Sequence, residues 1–223
     1  MRLILALMLT LFASDATSGA WMREEGAGFA AFTYSYDRDL NNLAAGTTGL
    51  GTWYGEYGLS NRVTVGATAW ASQTDASAFA FLRLPLTRRS SQRQIAFELG
   101  VGGYRAQGQA VEAAAKYGLS FGRGINTRWG PGWMQINASK EHRFRSKTNI
   151  LKSDLTFGVS PNARTKLILE VHAEKASNAR SQVKVSPSYV RRISKRTHLT
   201  LGVSYGVRAT DSLGVKLGTW LEF

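Results

Sequence analysis

The feature that most constrains this chain is a two-residue alternation that recurs along almost its whole length, with one parity apolar or aromatic and the other small or polar. Successive side chains of an extended strand point to opposite faces, whereas a helix repeats every ~3.6 residues, so the pattern dictates strands. Ile95, Phe97, Leu99 and Val101 alternate with Ala96, Glu98, Gly100 and Gly102. Leu199, Leu201, Val203, Tyr205 and Val207 alternate in the same way with Thr200, Gly202, Ser204 and Gly206. Period alone does not choose the solvent on the apolar side, because a soluble sandwich and a membrane barrel both carry it.

Residues 1–20 stand apart from this pattern. A single Arg2 precedes the apolar run 3–12, and a weakly polar stretch interrupted by Asp15 ends at Ser18-Gly19-Ala20. The run is about half of the ~20 residues a spanning helix needs, and Ser18 and Ala20 supply the small side chains a signal peptidase requires. Residues 1–20 therefore read as a signal peptide and residues 21–223 as one domain. No later apolar stretch reaches ~18 residues, so no helix crosses a bilayer. The chain has no cysteine, which removes disulfide frameworks and thiolate metal sites from consideration.

Twelve alternating segments are found, near 28–36, 50–59, 63–71, 78–86, 94–103, 112–121, 132–140, 148–159, 166–174, 182–190, 199–207 and 213–223. The number is even, as single-chain bacterial barrels require, and leaves about seventeen residues for each strand with its connection, enough for ~9–11-residue tilted strands. Ser60-Asn61, Gly130-Pro131-Gly132, Ser160-Pro161-Asn162 and the polar run 87–93 carry turn chemistry. YGLS occurs at 57–60 and again at 117–120, each read as the close of a strand.

The last residues bear on the choice between sandwich and barrel. Val215, Leu217, Thr219, Leu221 and Phe223 share one parity, and the sequence ends on Phe223. This resembles the C-terminal signal of Gram-negative outer-membrane β-barrel proteins of the porin-like kind, with Thr219 a weak member at a position usually apolar. The segment 54–70 resembles their hairpins: a strand, a two-residue periplasmic turn and a returning strand. The resemblance implies an all-β fold, a closed antiparallel transmembrane barrel of twelve strands in the cell outer membrane. Val215, Leu217, Leu221 and Phe223 would then be read by the barrel-assembly machinery. Physics agrees: lipid offers no hydrogen-bond partner, so a sheet within it must close on itself. The apolar parity would face outward, carrying Tyr34, Tyr36, Trp53, Tyr57, Tyr117, Phe121, Tyr189 and Tyr205 toward the membrane, since a barrel of this size has little room for rings inside.

Outer-membrane barrels include acyl hydrolases that place His and Ser close together on a strand. His142, His172 and His198 lie in no His-x-Ser motif, although Ser139 and Ser177 are near the first two in sequence. No carboxylate pair, EF-hand, phosphate loop or His/Cys spacing stands out, so no catalytic residue, metal ligand or cofactor is assigned.

The net charge of +13 would suggest nucleic acid, but an exported chain does not meet it, and outer-membrane lipid, lipopolysaccharide or an anionic periplasmic partner become the expected counter-charges. With both termini periplasmic, the positive charge collects in the periplasmic turns, at Arg62, Arg88, Arg89, Arg93, Arg123, Arg128, Arg164, Lys166, Arg191, Arg192, Lys195 and Arg196. Arg23 is offset there by Glu24 and Glu25. The inward parity is balanced: Arg83, Lys116, Lys152, Lys184 and Lys216 against Glu56, Glu98, Asp154, Glu170 and Glu222. Arg83, Glu98 and Lys116 fall on three consecutive strands, and Lys152 or Asp154, Glu170 and Lys184 on another three. Neighbouring strands are ~4.8 Å apart, so two ion-pair ladders are expected on the inner wall. Two functions fit: a narrow porin-like channel for small solutes, or a barrel without a pore that has a structural, adhesive or lipid-modifying role.

Overall fold

The computed structural model describes residues 19–41, 47–177, 179–209 and 211–223, so the leader read over residues 1–20 lies outside the described residues apart from Gly19 and Ala20. The strands are β1 (Gly28–Asp39), β2 (Thr47–Ser60), β3 (Val63–Ser72), β4 (Asp75–Pro85), β5 (Arg93–Ala106), β6 (Glu112–Thr127), β7 (Gly130–Arg143), β8 (Asn149–Asn162), β9 (Thr165–Ala176), β10 (Gln182–Arg192), β11 (Thr197–Arg208) and β12 (Ser212–Glu222). Each pairs antiparallel with its sequence neighbours, and β1 pairs with β12 to close the barrel. No helix among the described residues is long and apolar enough to cross a membrane.

Closure leaves no sheet edge, and the alternation decides which parity faces out. On β11, Leu199, Leu201, Val203, Tyr205 and Val207 are half exposed on the outside while Thr200 and Ser204 are buried within. Tyr34, Tyr36, Trp53, Tyr57, Tyr117, Tyr189 and Tyr205 all project outward and are exposed, as lipid-facing rings should be.

The expectation that the interior would have little room for rings does not hold. Phe29, Tyr54, Phe79, Phe81, Trp133 and Trp220 are on the inward parity. Space comes from glycine. A Cβ on Gly66 would strike the Phe81 ring, and one on Gly158 would strike the Trp133 indole, so rings lie across strands where no side chain stands.

Three turn readings are corrected. β6 runs on to Thr127, leaving Arg128 and Trp129 as the connection, and Gly130-Pro131-Gly132 belongs to β7. The alternation fades over 122–126 because Arg123 takes an outward position and glycines fill inward ones. For the same reason the second YGLS lies in the middle of β6. Ser160-Pro161-Asn162 extends β8, with the register slipping between Val159 and Asn162, so that the turn is at 163–164.

Candidate functional site

The site is the lumen, and its end nearest the termini is occupied by the chain itself. Residues 19–27 precede β1 and fold inward. Gly26 and Gly58 bind through the Gly26 amide (3.0 Å), and the Gly58 amide donates to the Ala27 carbonyl (3.0 Å). The Arg23 amide donates to Thr64 Oγ1 (3.1 Å), and the Arg23 guanidinium pairs with Glu56. Glu24 meets Arg89 at 2.8 Å. Beyond Arg23 the segment crosses to the other wall, where the Trp21 ring stands over Gly122 and Gly19 lies beside Gln135 and Asn137. Ala20 is 1% exposed. Arg23, read from sequence as a rim charge, is thus a lumen residue.

Around this crossing is an apolar layer. Trp133, Ile168 and Val190 form its buried core, with Trp21 and Trp220 packed against them. Trp220 meets Phe29 edge-on at 6.0 Å between centroids, Phe29 meets Tyr54 at 6.1 Å, and Tyr54 stacks on Phe81 at 5.8 Å. Rings from β1, β2, β4, β7 and β12 therefore pack together at this end of the lumen.

Adjoining the layer is a chain of buried charges. Arg83 Nη1 is 2.6 Å from Glu56 and its Nη2 is 2.8 Å from Glu98; Lys116 Nζ is 3.1 Å from the other oxygen of Glu98. Tyr54 donates its hydroxyl hydrogen bond to Glu56 and accepts one from Arg83 (2.9 Å). Arg83 is 2% exposed and Glu56 4%. The register brings Arg83 opposite Glu98, and it runs without a slip along the whole length of β4. Arg23, Glu56, Arg83, Glu98 and Lys116 thus alternate in sign along one wall, which offsets the several kcal/mol per ion that burying them costs.

On the other wall the pairing differs from expectation. Glu170 stands opposite Ser186, and Lys184 opposite His172, so Lys184 does not meet Glu170. Lys184 reaches Asp37 at 3.3 Å, skipping β11 and β12, and Ser204 donates to the same carboxylate at 2.6 Å. Glu170 pairs with Lys216, likewise across two intervening strands. Lys152 lies 3.5 Å from both Glu141 and Glu174, and Asp154 is 2.8 Å from His172 Nδ1. Glu222 is on the inward parity opposite Phe29.

The inner wall carries more charge than the sequence reading assigned to it. Asp37, Glu112, Glu141, Glu174 and Arg143 also take inward positions. Lys166, read as a turn residue, is 8% exposed, with its ammonium 5.7 Å from the Trp133 ring centroid. Parity could have found Glu141, since it continues the row Gln135, Asn137, Ser139 against outward Ile136 and Ala138. Tyr54 gave no such signal, because an inward ring breaks the apolar-out rule.

Neither His142 nor His172 meets the serine near it in sequence. His142 faces outward and its Nδ1 lies 3.1 Å from Asn149, while Ser139 is on the opposite face. His172 bonds Asp154, and Ser177 donates to the Asn149 carbonyl at 3.0 Å. Among the described residues no cluster of acids and histidines could hold a metal ion.

Val215, Leu217 and Leu221 are outward and about half exposed on β12. Phe223 follows the strand, with its amide donating to the Gly28 carbonyl at 3.0 Å.

A closed twelve-strand barrel with an apolar outer face and a charged inner wall is a transmembrane β-barrel. No family model matches the chain, and no curated protein matches it. Its fold is similar to that of the COG4313 outer membrane channel from Pseudomonas putida F1, with a TM-score of 0.64, 10% identity, and coverage of 94% of this chain and 100% of that one. It is also similar to the KdgM porin, with a TM-score of 0.56, 9% identity, and coverage of 86% and 99% respectively. At such identities the likeness is one of architecture.

Proposed function

We propose that this chain is an outer-membrane channel for small solutes, narrow along its length and stoppered at its periplasmic end by its own N-terminal segment. The observation that carries this reading is the path of residues 21–23 across the lumen. The crossing is fastened by the Arg23–Glu56 ion pair, the hydrogen bond to Thr64, the half-exposed Arg89–Glu24 pair, the Gly26 and Gly58 amides and the packing of Trp21 on the apolar layer, contacts outside the strand pairing that closes the barrel. Similarity of fold to proteins described as a porin and an outer membrane channel supports the reading.

The charges narrow the solute class. A KdgM porin has been solved in complex with disordered oligogalacturonate, a polyanion. Here the inward acids Asp37, Glu141 and Glu174 are held by Lys184 and Lys152, as Glu98 and Glu170 are held by Lys116 and Lys216, so among the described residues the wall offers no run of free cations to a polyanion and suits uncharged solutes. In this orientation lipopolysaccharide surrounds the rim opposite the termini, an anionic periplasmic partner would meet the basic turns, and the assembly machinery would read Val215, Leu217, Leu221 and Phe223.

Planar-bilayer recording tests the proposal. The chain beginning at residue 21 is expected to give a small or intermittent conductance, and a chain beginning at residue 25 a larger and steadier one. If both insert as heat-modifiable barrels and neither conducts, the channel reading fails and the barrel has a structural, adhesive or lipid-modifying role.

A further inference from the structure

Arg93 of β5 and Arg123 of β6 stand directly opposite one another in the register. Both are on the outward parity and both are exposed. Side chains paired in this way have Cβ atoms about 5 Å apart, and like charges so placed repel. Among the described residues neither guanidinium has a carboxylate within ion-pair distance, although eleven such pairs form elsewhere.

Their level on the barrel is informative. On the outer face of β5 the apolar row Val101, Leu99, Phe97 and Ile95 ends at Arg93; on β6 the row Tyr117, Leu119 and Phe121 is broken at Arg123, with Ile125 the one apolar residue beyond it on that face of the strand. The pair therefore lies where hydrocarbon gives way to headgroups. Arg93 is also held in place. Gln94, 6% exposed, donates to the carbonyls of Arg89 (3.1 Å) and Ser91 (2.6 Å), and the Ile95 amide donates to Thr87 Oγ1 (3.0 Å), so the turn before Arg93 is fixed.

We propose that Arg93 and Arg123 clamp the phosphate of an anionic phospholipid in the leaflet nearest the termini, with the acyl chains lying along Ile95 and Phe121. The inference rests on the membrane orientation proposed above. A guanidinium presents paired donors that match phosphate oxygens, and two of them facing one anion turn a repulsive pair into an attractive triad. A zwitterionic headgroup gives back part of that attraction through its own ammonium, so phosphatidylglycerol should be preferred to phosphatidylcholine.

Native mass spectrometry of the detergent-extracted barrel, titrated with phosphatidylglycerol or phosphatidylcholine, tests this. The wild-type chain is expected to hold phosphatidylglycerol about fivefold more tightly, the gain expected of one basic residue at an anionic surface. R93Q/R123Q should lose that preference, whereas R105Q, an outward arginine at the far end of β5, should keep it. Heat-dependent gel mobility shows that each variant is a folded barrel, and the single variants R93Q and R123Q serve if the double one is not. An unaltered preference in R93Q/R123Q overturns the proposal. Equal retention of inorganic phosphate alone would also overturn it, since the lipid would then contribute nothing. Absence of any mobility shift in the wild-type chain would instead indict the barrel reading itself.

Discussion

Phe223 and Gly28 close the barrel as a reciprocal pair: the Gly28 amide donates to the Phe223 carbonyl at 2.6 Å, the Phe223 amide to the Gly28 carbonyl at 3.0 Å, and the Phe223 ring lies over Gly28 where a Cβ would collide with it. The final aromatic is therefore part of the seam between the first and last strands. Deleting Phe223 is expected to remove both hydrogen bonds and leave the chain in the periplasm. Gly28→Val keeps the terminal residue but displaces its ring, so folded, heat-modifiable protein should fall while the unfolded form accumulates. Normal membrane levels for both variants would sever assembly from this contact.

Arg83 is the residue that links the buried charges, since among the described residues it alone pairs with both Glu56 and Glu98. Arg83→Met leaves Glu56 and Glu98 with one cation each, Arg23 and Lys116, and removes the buried guanidinium that stands between the two carboxylates. A loss of roughly 3–5 kcal/mol is expected in urea unfolding followed by gel mobility. Arg83→Met combined with Glu56→Gln should recover part of it. Additive losses in the double variant would mean that the two residues are not coupled.

The apolar layer gives a third expectation. Trp133 is 8% exposed and packs where Gly158 has no side chain. Trp133→Ala should cost about 3–5 kcal/mol, and Gly158→Leu should also destabilise by forcing the indole out of its place. Only a stopper that seals water would couple this loss to conductance, so Trp133→Ala is expected to raise the open probability in the bilayer as well.

How much of this was legible follows from the range over which each signal acts. Alternation is local, and it placed β11 and its outward leucines without any tertiary knowledge. The first ladder was legible too, because Arg83, Glu98 and Lys116 lie on consecutive strands joined by hairpins whose register barely varies. The second was not: the slip between Val159 and Asn162 shifts the pairing of β8 with β9, the register of β9 with β10 sets Lys184 opposite His172, and lysine side chains are long enough to reach past two strands. The inward fold of the segment before β1 had no sequence signal. Residues 20–24 carry no alternation, and their place is decided by partners such as Glu56 and Gly122 that are distant in sequence.

The ion pairs on that second wall lead to the last prediction. Lys184 reaches Asp37, and Lys216 reaches Glu170, each spanning two intervening strands, so their side chains run across the lumen instead of along its wall. Two such chords narrow the path and cancel each other's field. Replacing Glu170 by Ala frees Lys216 to swing toward the wall and leaves an uncompensated ammonium facing solutes. Two effects should appear together in single-channel records of the chain beginning at residue 25: a higher conductance and a reversal potential, in a potassium chloride gradient, shifted toward anions. Asp37→Asn should do the same through Lys184, while Lys216→Met should widen the path yet shift the reversal potential toward cations. Opposite signs for Glu170→Ala and Lys216→Met are what a shared chord requires, and equal shifts from the two substitutions would refute it.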